Sequence, residues 1–174
     1  MKVTVISFSF KRGIPDDPTG NGNAPGAEGD QVGRMSEANE PRSGRKSPRG
    51  FVFDCRAMPN PFWDETLRGY TGCDKPVCDF FSRFPGTVEP FLEATETLVR
   101  QSIEQYKRDG RDHLQVAFGC TGGQHRSVYF AERMAERLAG VDGVEIEITH
   151  TAKQYWTTSH DSENRDIIFQ EELK

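Results

Sequence analysis

A chain of 174 residues, 34% of them hydrophobic, is long enough for one domain with its own core and too short for two domains of ordinary size. Its formal net charge of −5 excludes binding of nucleic acid through overall positive charge, and no apolar run approaches the roughly 18 residues of a membrane span. Four cysteines are too few for a disulfide-rich secreted scaffold and the N-terminus has no signal-peptide pattern, so we expect a cytoplasmic protein.

The first element in chain order is a strand. Residues 3–10 alternate apolar side chains with serine and threonine, which is typical of a β-strand. Residues 16–50 are rich in glycine, proline and mixed charge, with Val32 and Met35 as the only sizeable apolar side chains. Such a segment cannot bury enough apolar surface to offset its ordering entropy. We therefore expect a disordered insertion at residues 16–50 rather than a lid over a ligand.

A second strand is predicted at residues 51–53, with Asp54 and Arg56 at its carboxyl end. Residues 58–79 combine turn-forming residues with several large apolar side chains, which indicates an irregular but packed connection. Residues 88–108 carry apolar side chains at helical spacing and predict a long helix.

The remaining elements complete an alternating pattern. Residues 114–118 predict a strand, residues 125–139 a helix that ends at Gly140, and residues 144–148 a strand with one solvated face. Strands that alternate with helices predict an α/β fold with a mainly parallel sheet flanked by helices. We expect one domain over residues 1–150, followed at residues 151–174 by a tail or a short docked helix.

The turn before the second long helix has the composition of an anion site. Gly122 and Gly123 allow positive φ and expose successive N–H groups, and the N-terminus of the following helix points at the same place. Arg126 adds a bidentate donor, and Thr121 and Ser127 add hydroxyls. The alternative is a plain glycine-rich connection in which Arg126 pairs with a carboxylate. The turn lacks the lysine of a Walker A loop, so ATP hydrolysis is not predicted.

The same turn also allows a catalytic hypothesis. Cys120 and Arg126 have the C-x5-R spacing of the protein tyrosine phosphatase superfamily. Such an enzyme would use Cys120 as a thiolate nucleophile and Asp54 or Asp74 as the acid. Gly119 stands where those enzymes place a histidine, so we favour a packed thiol and a protein without enzymatic activity.

No metal site and no cofactor are predicted. Cys73 and Cys78 form a loosely spaced pair, and no second Cys/His pair follows them. His125 lies in the turn, where it either meets an anion or forms a hydrogen bond to the backbone. His150 follows the last strand, at the same edge of the sheet.

Five motifs in order over residues 2–150 strongly resemble the C-terminal domain of the RapZ family of bacterial RNase adapter and nucleotide-binding proteins: VISFSFKRGIP, FVFDCRAMPNPFW, LRGYTGCDKPV, GCTGGQHRSV and ITH. The resemblance implies a fold similar to a phosphosugar-binding subdomain and sensing of a phosphorylated amino sugar, glucosamine 6-phosphate. In the best-known members it also implies a small RNA and an endoribonuclease as partners. Carried over by motif, the ligand site comprises Asp54, Arg56, Asn60, Thr121, Gly122, Gly123, His125 and Arg126.

The chain departs from that family in several places. The family's N-terminal domain with its Walker A loop is absent from this sequence, so we do not expect it to bind a nucleotide there. The polar segment after Pro15 is longer than usual, and Phe62 stands where some relatives have a histidine. The chain ends in the acidic SENRDIIFQEELK, which disfavours RNA, and we interpret the basic residues of 42–49 as a solvated charge run.

Three hypotheses therefore follow from the sequence. The leading one is a non-catalytic sensor of a phosphorylated small molecule that signals to a regulatory protein partner. The second is a phosphatase that uses Cys120 and Arg126, and the third is an RNA-binding adapter.

Overall fold

The structure, a computed structural model, describes residues 1–15 and 50–157. Within these residues the strands are β1 Lys2–Ser9, β2 Gly50–Asp54, β3 His113–Cys120 and β4 Glu145–His150. The α-helices are α1 Lys75–Ser82, α2 Pro85–Arg108 and α3 Arg126–Leu138. The strands pair in the order β2-β3-β1-β4, and every pairing is parallel. The predicted α/β fold with helices flanking a parallel sheet is confirmed.

Burial follows the position of each strand in the sheet. The central strands β1 and β3 are buried along almost their whole length, because neighbouring strands and packed side chains cover both of their faces. The edge strands β2 and β4 alternate between exposed and partly buried side chains. This alternation in β4 agrees with the solvated face predicted from its glutamates.

Aromatic side chains hold the helices on the sheet. The Phe118 ring of β3 lies 6.5 Å from the Phe91 ring of α2, measured between centroids. The Phe91 ring of α2 lies 4.9 Å from the Phe130 ring of α3. Offset and edge-on ring pairs of this kind add to the free energy of burial. The core is therefore continuous from the sheet through α2 to α3.

The sequence pattern of residues 58–79 predicts an irregular connection and no helix, whereas the structure contains the helix α1. Short 3₁₀ turns do occupy the first part of that range, and α1 then starts at Lys75. Pro76 lies in its first turn, where the missing N–H costs no helical hydrogen bond. Val77 and Phe81, one turn apart, are both fully buried. Their four-residue spacing is the signal that could have identified the helix.

Residues 16–49 of the predicted insertion and residues 158–174 of the predicted tail lie outside the described residues. Gly50, the last residue assigned to the insertion, belongs to β2 and pairs with Gln115. A Cβ atom on Gly50 would lie 1.8 Å from the Gln115 carbonyl oxygen, so the close approach of the two strands requires glycine. At the other end, residues 153–155 form a 3₁₀ turn. Among the helices of the described residues, none has the length and apolar character needed to span a membrane.

Replacement of Phe81 by alanine tests the packing of α1. The Phe81 ring is fully buried and stacks on Tyr129 with centroids 4.2 Å apart. We expect Phe81→Ala to lower the free energy of unfolding by about 3–5 kcal/mol in urea titrations, because the cavity cannot close. Phe62→Ala is the control, since Phe62 is 49% exposed and its truncation leaves no internal cavity. Equal losses in both variants would contradict this packing.

Candidate functional site

The carboxyl ends of the four parallel strands meet at one edge of the sheet, where ligands of α/β proteins bind. The turn of residues 121–125 joins β3 to α3 at this edge. Asp54 ends β2 beside it, and Ser9 ends β1. The Ser9 hydroxyl donates to the Thr121 carbonyl at 2.8 Å, which links the end of β1 to the turn.

Gly123 determines the shape of the turn. Its φ of +71° lies in the left-handed region, and a Cβ atom there would lie 2.6 Å from the Cβ of Ala152 and 3.0 Å from that of Ser9. Its N–H donates to the Cys120 Sγ at 3.2 Å, and its carbonyl accepts from the Trp156 indole at 2.8 Å. The sequence allows positive φ at both glycines, but of the two only Gly123 has it. A Cβ atom on Gly122 would have no other atom within 4 Å.

Backbone amides make this edge suitable for an anion. Thr121 and Gly122 are exposed at the turn, while α3 begins five residues after Thr121, at Arg126. The first N–H groups of a helix have no partners within the helix, and its dipole favours negative charge there. The turn therefore combines exposed backbone with a helix N-terminus directed toward the same edge.

The guanidinium of Arg126 donates hydrogen bonds to backbone carbonyls of the same chain. Its side chain is buried, and Nη1 donates to the carbonyl of Arg56 at 2.9 Å and to that of Met58 at 3.4 Å. The sequence offered two roles for this residue, an anion donor or a partner of a carboxylate. These two hydrogen bonds attach the 3₁₀ turn Cys55–Ala57 to the start of α3.

Asp54 and Arg56 form an ion pair at the carboxyl end of β2. Nε of Arg56 donates to Oδ1 at 2.9 Å and Nη2 to Oδ2 at 2.6 Å, while the Arg56 backbone N–H also donates to Oδ1. The hydrogen bonds from Arg56 lower the pKa of Asp54, so this carboxyl stays ionised. About half of each side chain is exposed. The guanidinium also lies over the Phe10 ring, 4.2 Å from its centroid.

His125, Asn60 and Ser127 have different surroundings. His125 is buried, and its Nε2 donates to the Leu67 carbonyl at 3.1 Å, which is the backbone alternative considered for this residue. Burial lowers the pKa of His125, so the imidazole is neutral at neutral pH. Asn60 is partly buried and precedes the 3₁₀ turn Pro61–Trp63. Ser127 is fully buried.

The surroundings of Cys120 only partly resemble those of a phosphatase nucleophile. Its Sγ lies 3.2 Å from the Ser127 hydroxyl and accepts the N–H of Gly123. However, Arg126 contacts carbonyls, and the ionised Asp54 has no proton to donate. These contacts favour the packed thiol.

Two further features bear on phosphatase chemistry. Asp74, the other proposed acid, accepts from the Thr71 N–H at 2.6 Å and from its hydroxyl at 2.9 Å, so it closes the turn before α1. At Gly119 a Cβ atom would lie 2.4 Å from the Phe8 ring and 2.6 Å from the Phe10 ring. The histidine of the phosphatase motif therefore does not fit at this position.

Gln124 organises the site, although the sequence analysis assigned it no role. Its Nε2 donates to the carbonyls of Arg68 and Tyr70 at 3.0 and 2.8 Å. Its Oε1 accepts from the backbone N–H of Thr157 at 3.1 Å. No spacing or composition signal in a single sequence distinguishes such a glutamine from an exposed one.

Comparison with known proteins identifies relatives of this chain. The family model of the RapZ C-terminal domain matches residues 42–154. A nucleotide-binding protein of Paraburkholderia xenovorans (strain LB400) is 48% identical over 133 residues, which cover 76% of this chain and 34% of the relative. A nucleotide-binding protein of Halorhodospira halophila is 40% identical over 138 residues, which cover 79% of this chain and 37% of the relative. The chain thus spans little more than a third of these relatives.

A pair of glycine substitutions tests the geometry of the turn. We expect Gly123→Ala to lower the free energy of unfolding by about 2–4 kcal/mol, because left-handed φ and the contacts with Ala152 and Ser9 both penalise a Cβ atom. Gly122→Ala should change it by no more than about 0.5 kcal/mol, because a Cβ there meets open space. Urea unfolding of both variants makes the comparison, and similar losses would refute the assigned geometry.

The buried, neutral His125 should make stability depend on pH. Its folded-state pKa is below the usual value of about 6.5, so the unfolded chain takes up a proton that the folded chain does not. Stability should therefore fall as the pH drops below about 6.5, with a contribution of at most about 1.4 kcal/mol per pH unit from this residue. Urea unfolding across this range should show a shallower decline for His125→Gln. An unchanged pH slope would argue against a neutral His125.

Proposed function

The chain belongs to the RapZ C-terminal domain family, and from this premise we propose that it binds a phosphorylated amino sugar, such as glucosamine 6-phosphate, and signals to a regulatory protein partner. The proposed ligand site comprises Asp54, Arg56, Asn60, Thr121, Gly122, Gly123, His125, Arg126 and Ser127. The observation that carries the proposal is the turn at Gly123, which exposes backbone beside the N-terminus of α3.

The phosphate group fits the dipoles and the charge at this edge. The exposed residues Thr121 and Gly122 offer backbone N–H groups, and the α3 dipole favours an anion. Arg56 supplies the exposed guanidinium next to the turn, whereas Arg126 holds the backbone of Arg56 in place. We therefore assign direct contact with the phosphate to Arg56 and a positioning role to Arg126.

The ionised carboxylate of Asp54 favours a ligand that also carries donors. This carboxylate accepts hydrogen bonds from hydroxyl or ammonium groups. An amino sugar phosphate presents these groups and a phosphate in one molecule. Asn60, which is partly buried and lies three residues after the 3₁₀ turn Cys55–Ala57, adds an amide that can donate or accept.

A nucleotide is the competing ligand, because the relatives are named nucleotide-binding proteins. This chain covers only 34–37% of the two relatives compared above, so their activity does not transfer with the name. An RNA partner is a further alternative. The basic residues of 42–49 and the acidic tail, on which that hypothesis depends, lie outside the described residues.

Calorimetric titration with glucosamine 6-phosphate tests the proposal, with glucosamine, inorganic phosphate and ATP as comparison ligands. We expect saturable binding that needs both the sugar and the phosphate. Arg56→Gln should weaken it about 10- to 100-fold, because a charge-assisted hydrogen bond contributes about 1.5–3 kcal/mol. Arg111→Gln is the matched control, since Arg111 also pairs with an aspartate two residues away but lies next to the opposite end of β3.

The outcomes separate the candidate functions. No binding of glucosamine 6-phosphate would refute the proposal, and tighter binding of ATP would replace the amino sugar by a nucleotide. Release of phosphate from the ligand, lost in Cys120→Ser, would establish the phosphatase hypothesis. Binding of RNA that weakens steeply with salt would indicate the adapter hypothesis.

A further inference from the structure

A second polar cluster lies between α3, β4 and the connection before α1. Cys73, Glu132 and His150 each place one side-chain atom, a sulfur, an oxygen and a nitrogen, within 4.8 Å of the other two. Nε2 of His150 is 2.8 Å from Oε1 of Glu132, and Sγ of Cys73 is 3.6 Å from the same oxygen. Three separate segments of the chain therefore converge on one point.

We propose that Cys73, Glu132 and His150 form a binding site for a borderline-soft divalent cation of the Zn²⁺ class. Thiolate, imidazole and carboxylate are the protein ligands that Zn²⁺ uses, and three of them leave a fourth position for water or another ligand. Bonds of about 2.0–2.3 Å in a tetrahedral site place ligand atoms roughly 3.3–3.8 Å apart. To reach this geometry, Nε2 of His150 and Oε1 of Glu132 must move apart by about half an ångström, and the distance from Sγ of Cys73 to Nε2 of His150, at most 4.8 Å, must become about 3.5 Å.

The surroundings of the cluster orient its members toward a common centre. Nδ1 of His150 lies 2.8 Å from the hydroxyl of Ser7, which is fully buried in β1. Such a partner on the other ring nitrogen is typical of metal-binding histidines, because it directs Nε2 toward the ion. The ring of Trp156 lies 5.5 Å from the imidazole, centroid to centroid, and restricts it further.

Burial adds a reason for a cation at this place. The Glu132 side chain is only 9% exposed, and the His150 side chain is 14% exposed. Buried carboxylates in proteins are paired or coordinate metal ions, because removal from water is costly. On binding, a divalent cation would release the thiol proton of Cys73 to solvent and compensate the carboxylate and the resulting thiolate together, which the imidazole alone cannot do.

The proposed ligand set differs from Cys73 and Cys78, the two cysteines that lie close together in the sequence. Cys78, four residues beyond Asp74 in the chain, contacts the carbonyl of Gly72 at 3.7 Å and is not a member of the cluster. Cys78 therefore provides a matched control, since it is a partly buried free thiol from the same region of the chain.

The test is a titration of the full chain with Co²⁺, under reducing conditions, followed by absorption spectroscopy. We expect one equivalent of Co²⁺ to give visible bands of tetrahedral cobalt and a near-ultraviolet thiolate-to-cobalt band, all displaced by Zn²⁺. Cys73→Ser should abolish the thiolate band, and Glu132→Gln should weaken Co²⁺ binding at least about tenfold. Cys78→Ser should keep both the band and the wild-type affinity.

Each other outcome overturns the proposal. The absence of a thiolate band in the wild-type chain would do so, as would a band that survives in Cys73→Ser. Loss of the band in Cys78→Ser would show a different ligand set. Circular dichroism of each variant, together with its melting temperature without metal, ensures that a lost band is not caused by a lost fold. The result is independent of glucosamine 6-phosphate binding, because it uses no sugar ligand.

Discussion

The backbone at Gly123 packs against β1 and against the segment after β4 so closely that no side chain fits between them. The edge of the sheet where the carboxyl ends of the strands meet depends on this contact. Because the turn can fold back at this point, the Gly123 N–H reaches Cys120 and its carbonyl reaches Trp156. The same fold-back starts α3 three residues later and exposes Thr121 and Gly122. A bulkier residue would separate the ends of β1, β3 and β4.

Buried and exposed charged groups at this edge of the sheet have different partners. Burial keeps His125 neutral, and the backbone carbonyls of Arg56 and Met58 accept from the buried guanidinium of Arg126. The ions that face solvent are Asp54 and Arg56, which neutralise each other. For the proposed anion, the oriented backbone dipoles of the turn add to the positive charges of Arg56 and Arg126, and these dipoles need no reorganisation when a ligand arrives.

Periodicity predicted the sheet and the two long helices because their apolar positions repeat over many residues. The position of the turn was also predictable, since the paired glycines stand between a strand pattern and a helix pattern. The helix α1 was missed because its signal is a single buried pair, Val77 and Phe81, within turn-rich sequence. The hydrogen bonds of Arg126 and Gln124 could not be predicted, because their partners are backbone groups more than 30 residues away in the chain. Every residue has a backbone carbonyl, so the sequence does not show which carbonyl accepts a hydrogen bond from a distant side chain.

The hydrogen bond between Trp156 and Gly123 gives the protein an internal optical reporter. The chain has two tryptophans, and the other, Trp63, is 78% exposed. In a chain that lacks Trp63, all indole emission would come from a ring bonded to the turn itself. Fluorescence intensity and lifetime would then report the conformation of the turn between β3 and α3 directly, without an attached dye. Stopped-flow mixing could use this emission to time how quickly the turn responds to a small molecule.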